Sequence, residues 1–140
     1  MKIAYVSTYP PRECGLATFN HNLIKAINSN FDNPSSMETS VVVAINDSDN
    51  LHHYEYPKEV KFVVRQNETT DYLDAADFIN EGPSDACILQ HEFGIFGGEN
   101  GIYILPFLNR LSKPLITILH TVLKSPTFLQ HSIIREVAKR

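Results

Sequence analysis

The chain has two cysteines among its 140 residues, no run of more than two basic residues, and no apolar stretch approaching the roughly 20 residues that cross a bilayer. Each scarcity excludes something. Cys14 stands beside Arg12, Glu13 and Gly15 in a loop-like stretch, and Cys87 lies in the apolar run Ala86-Cys87-Ile88-Leu89. No disulfide framework is therefore expected, and a reducing compartment suits the chain. Twelve Lys and Arg against 16 Asp and Glu leave a formal net charge of -4, which argues against a phosphate-tracking nucleic-acid surface. The opening MKIAYVSTYPP lacks the apolar core and small-residue cleavage site of a signal peptide, so a cytoplasmic location without a transmembrane segment is expected.

What is present is enough apolar sequence for one core. At this length a chain buries roughly 68–70% of the surface it would expose unfolded, and one domain over 1–140 is expected. Ile3-Ala4-Tyr5-Val6 reads as a strand buried on both faces, because its residues do not alternate with polar ones. Pro10 and Pro11 stop it, and Phe19, Leu23, Ala26 and Ile27 then recur at helical spacing until the polar stretch 28–36. Strands are expected at 41–45, 60–64, 86–89 and 115–119. A helix is expected over 69–81, closed by Gly82-Pro83. Another is expected over 101–111, where Pro106 invites a kink, and a last one starting at Ser125-Pro126. Buried strands alternating with amphipathic helices predict an α/β fold, a doubly wound and mainly parallel five-stranded sheet with helices on both faces. Right-handed crossovers put the first and fourth strands side by side at the switch point, where ligands bind.

Three segments converge there, namely 9–17, 91–101 and His120-Thr121. Gly94, Gly97, Gly98 and Gly101 follow a strand directly, which fits either a cradle of backbone N–H groups or a tight turn. Their spacing is neither a dinucleotide fingerprint nor a Walker loop, so no cofactor of those classes is expected. His91 and His120 each end a strand and can bind a hydroxyl or exchange a proton near neutral pH, or simply be buried against a carbonyl. Glu92 can orient a histidine, accept from a sugar hydroxyl, or be a solvated loop carboxylate. Arg12 can meet an anion or be an ordinary surface arginine. His91-Glu92 lacks the second histidine of a zinc-protease helix, and His52-His53 lack cysteine or acidic partners, so no metal site is expected. Cys14 as a nucleophile would need an orienting third group that the sequence does not supply.

The segments KIAYVSTYPPRECGLATF, ACILQHEFGIFGGENG and KPLITILHT, in this order and spacing, resemble the N-terminal domain of the family-4 (group 1) glycosyltransferases of GT-B fold. LQHEFGIFGG is the most specific of these elements, and the resemblance spans nearly the whole chain. It implies retaining, metal-independent transfer of a sugar from a nucleotide-sugar donor to a carbohydrate or glycolipid hydroxyl, between two Rossmann-like halves of which the N-terminal one mostly holds the acceptor. By position, it assigns Gly15 to the loop near the donor phosphates, His91 to the crevice near the acceptor, and His120 to contact with the transferring sugar as the catalytic histidine. Glu92, with Gly97 and Gly98 of the glycine-rich segment, completes the expected substrate-binding set.

The departure from the family is the C-terminal half, which carries its paired glutamates and most nucleotide contacts and is absent from these residues. A fragment or remnant, inactive alone and prone to self-association or to pairing with the missing half, is therefore expected. The alternative is a non-catalytic α/β domain that binds a carbohydrate or a protein. A receiver-like module is disfavoured, because no acidic cluster follows the first strand.

Overall fold

A computed structural model describes residues 1–30 and 40–140; the part of the expected polar stop at 31–36 lies outside the described residues. The apolar runs form β1 (Ile3–Ser7), β2 (Val41–Asn46), β3 (Val60–Arg65), β4 (Ala86–His91) and β5 (Leu115–Leu119). They join in one parallel sheet of order β3-β2-β1-β4-β5. In register, Ala4 lies opposite Val41 on one side and Cys87 on the other, so β1 and β4 are neighbours at the switch point. Of the five strands expected to be buried, β1 is buried throughout, and β2 and β4 are buried after their first residues, Val41 and Ala86. The edge strands β3 and β5 are partly exposed, since among the described residues each has a neighbour on one side only.

Alternation along the strands divides the core between two faces. Ala4, Val6, Val43, Ile45, Cys87 and Leu89 point to one face. It is covered by α2 (Thr69–Glu81), α3 (Ile104–Arg110) and α4 (Phe128–Val137). Ile3, Tyr5, Val42, Ala44 and Ile88 point to the other, covered by Ile24 and Ile27 of α1 (Gly15–Ser29). Helices on both faces of a parallel sheet make this a doubly wound, Rossmann-like α/β fold.

Local chemistry sets the helix ends. α2 spans the expected residues, and its first turn is tied to the end of β3 by Asp71, which accepts from the Arg65 backbone N–H (2.9 Å) and from its guanidinium (2.8 Å). Those hydrogen bonds hold the Asp71 carboxyl below the usual carboxylate range. α3 is shorter than expected, because residues before it form a 3-10 turn (Glu99–Gly101) in which Asn100 has φ 53°. Pro106 therefore falls in the first turn of α3, where its missing N–H breaks no helical bond and no kink is called for. α4 starts at Phe128, capped by Thr127, and not at Ser125-Pro126. The Thr127 hydroxyl accepts from Gln130 N (3.2 Å), and the Gln130 side chain accepts from Thr127 N (2.9 Å), a reciprocal cap that Ser125 does not make. Among the described residues, no helix is long and apolar enough to cross a membrane.

Candidate functional site

The carboxyl ends of β1, β4 and β5 lie side by side, so the segments that follow them meet above the switch point. After β1 the chain passes through a cis Pro10-Pro11 bond and enters α1 at Gly15. Cys14 caps that helix, its Sγ accepting from Ala17 N (3.4 Å) while lying 3.1 Å from the Thr8 hydroxyl, which gives the thiol a structural occupation. Gly15 is exposed, and a Cβ added to it would meet nothing within 4 Å. The fold therefore does not demand glycine here. As the first helical residues, Gly15 and Leu16 have N–H groups without intrahelical acceptors, at the positive end of the α1 dipole. Arg12 is committed elsewhere, donating to the Ile45 carbonyl (3.0 Å) and pairing with Asp47 (3.4 Å).

The two strand-end histidines differ. His120 is exposed, its Nε2 is 2.7 Å from Gln90 Oε1, its backbone N–H donates to the His91 carbonyl (3.0 Å), and Phe19 of α1 meets its ring edge-on at 4.9 Å. His91 is only 1% exposed, with its ring against Phe93 (5.1 Å) and Phe96 (5.7 Å). Neither ring nitrogen of His91 has a hydrogen-bond partner among the described residues, and burial lowers its pKa. The expected opening of the His91 side chain on the crevice is not seen. Its position alternates with Gln90, so it shares the helix-covered face with Leu89.

Glu92 links β4 to β5. One carboxylate oxygen accepts from Phe93 N (2.9 Å) and the other from the Thr121 hydroxyl. Gly15, Glu92 and His120 thus belong to one end of the sheet, with Thr121 and Gln90 as additional partners. Gln90 escapes a reading that ends the strand at Leu89. The signal for it is a lone glutamine continuing an apolar strand run.

The glycine-rich segment is built differently from a cradle at Gly97. That residue is buried, its N–H donates to the Tyr72 hydroxyl (3.0 Å), and an added Cβ would overlap the Gln66 carbonyl oxygen and reach Tyr103 at 2.6 Å. Tyr72 in turn donates to that carbonyl (2.8 Å), and burial pushes its phenol up to about 12. Gly98 is exposed at φ 74° and ψ 179°, a conformation all but reserved for glycine. The close approach at Gly97 is to the protein's own backbone.

Two hollows accompany this end and one flank of α1. An apolar one of about 160 Å³ is lined by Phe93, Leu119, Thr121, Val122, His131 and Ile134, among others. A larger one of about 430 Å³ lies between α1 and the start of β3, with Lys25, Lys58 and Lys61 around Tyr9. The Tyr9 hydroxyl donates to Glu59 (3.2 Å) and lies 2.9 Å from His21 Nδ1, and burial beside Glu59 raises its pKa. Among the described residues, no group of three or more His, Cys, Asp or Glu side chains is placed to hold a metal ion. No family model, curated protein or solved structure matches the chain.

Proposed function

We propose that the chain is the acceptor-side, N-terminal portion of a retaining glycosyltransferase that moves a sugar from a nucleotide-sugar donor to a hydroxyl, and that these residues alone do not turn over. The observation that supports the reading is that the Gly15 helix start, the Glu92 carboxylate and the exposed His120 ring all belong to the segments that follow β1, β4 and β5 at one end of the sheet. Each suits one part of a sugar nucleotide reaction. Unpaired amides at a helix start attract a phosphate, and a glycine whose Cβ position is open lets it come close. A carboxylate accepts from sugar hydroxyls, and a histidine rooted at a strand end fixes the orientation of the ring that transfers. His91 serves this site from behind, as a buried neighbour of Glu92.

A second reading, a non-catalytic module that binds a protein, is favoured by exposed apolar side chains on the β5 side: Ile116 (57%), Val122 (81%) and Phe128 (88%). One titration separates the two. Methyl α-glucoside and UDP-glucose, added to the 15N-labelled chain, are expected to shift amide resonances of Gly15, Glu92, His120 and Thr121. His120→Ala should weaken this at least about tenfold, the loss of one good polar contact, and UDP-glucose should remain unhydrolysed and untransferred. Shifts elsewhere, or none, together with concentration-dependent association, would overturn the transferase reading in favour of the protein-binding one.

A further inference from the structure

We infer that Gln90 is a positioning residue, which sets the tautomer of His120 so that the crevice presents the bare Nδ1 of that ring as a hydrogen-bond acceptor. The inference rests on the reading of His120 as a ligand-facing residue, and it specifies the ligand group as a hydroxyl donor rather than a phosphate oxygen.

The face of the sheet beneath α1 changes character along its length. At the amino-terminal half it presents Ile3, Tyr5, Val42, Ala44 and Ile88. Toward the carboxyl end it turns polar. Val6 lies opposite Leu89, which brings Ser7 level with Gln90 on neighbouring strands, and α1 lays Asn20 of its buried stripe Ala17, Asn20 and Ile24 on the same face. Ser7, Asn20 and Gln90 are all 0% exposed. The Ser7 hydroxyl, both Asn20 amide atoms and Gln90 Nε2 find no hydrogen-bond partner among the described residues. Apolar side chains would fill these positions at lower cost, because a buried polar group without its full complement of partners destabilises the fold.

Among the described residues Gln90 makes one side-chain hydrogen bond, Oε1 to His120 Nε2 at 2.7 Å. An amide oxygen only accepts, so Nε2 carries the proton, and the neutral imidazole then has its lone pair on Nδ1. Two further contacts hold the ring in place: the His120 backbone N–H is bound to the His91 carbonyl, and Phe19 packs edge-on against the ring at 86°. Nδ1 is bonded to no described residue. A sugar hydroxyl satisfies such an acceptor by donating to it, whereas a phosphate oxygen brings no proton to share.

Long-range 1H–15N spectra of the histidine rings in the 15N-labelled chain at pH 8.5 test this directly, with His120 assigned by its loss in His120→Asn. Wild type is expected to show His120 as a single Nε2–H tautomer. Gln90→Leu should show a mixture of tautomers and melt at or above the wild-type temperature, and Gln90→Glu, whose carboxylate also accepts, should restore the Nε2–H form. An Nδ1–H ring in wild type, or an unchanged ring spectrum in Gln90→Leu, would overturn the inference. So would a melting temperature more than about 5 °C lower in Gln90→Leu, which would make Gln90 a packing residue. No sugar is present in these spectra, so a failure of glycoside binding and a failure of this inference are told apart.

Discussion

His91 and His120 stand in equivalent places along the chain, each closing a strand, and they meet opposite fates. Alternation decides between them. His91 follows Cys87 and Leu89 onto the face packed by α2 and α3, while His120 follows Ile116 and Ile118 onto the face of α1, beside Gln90. The pattern is visible in the chain only when the strand is known to run through His91. A strand ending at Leu89 leaves both rings equally free, which is why the sequence reading could not separate them. Burial makes protonation of His91 unfavourable, lowering its pKa from the ordinary value near 6.5. Below about pH 6.5 the unfolded chain then binds a proton that the folded chain refuses, so the stability His91 contributes is complete above that pH and is lost as pH falls toward the folded value. The unfolding free energy from urea titrations should therefore drop between pH 7.5 and 5.5, with a slope from this group of at most about 1.4 kcal/mol per pH unit. In His91→Leu the drop should be visibly shallower. Parallel pH profiles in the two proteins would refute that account.

At the scale of elements, the strands and α2 were legible because they rest on long apolar runs and on good stop signals such as Gly82-Pro83. The starts of α3 and α4 were not, since each depends on a bond between side chain and backbone or on a local backbone twist. Asn100, at positive φ, delays α3, and its side chain also accepts from Gln130 (3.3 Å), tying that turn to the first turn of α4. Gln130 thus serves both the Thr127 cap and the Asn100 turn, which no periodicity could reveal. Removing the hydroxyl in Thr127→Ala should cost about 1 kcal/mol of stability, as helix caps of this kind do. Thermal unfolding of Thr127→Ala and Thr127→Ser checks it. The serine variant should lie close to wild type, and an alanine variant equal to wild type would show that packing of Ile133 and Val137 alone holds α4.

For the whole molecule, the order β3-β2-β1-β4-β5 concentrates stability at the centre. β1 is paired on both sides and covered on both faces, whereas β5 has one free edge and only partial cover, with Ile116 more than half exposed. Native-state hydrogen exchange should follow that gradient. The amides of Val6, Val43 and Leu89 should exchange among the slowest, and those of Ile116 and Ile118 at least about tenfold faster. Equal protection of β5 and β1 would mean that the edge is shielded in solution by something outside the described fold.

The central pairing also has a consequence for synthesis. Lys2 N donates to Asp85 (2.7 Å) and Ile3 lies opposite Ala86, so β1 finds its second partner only after more than eighty further residues have been made. At about 5–20 residues per second that wait lasts several seconds. During it β1, even when already paired with β2, keeps its β4 side unpaired, and that apolar edge is where aggregation would start.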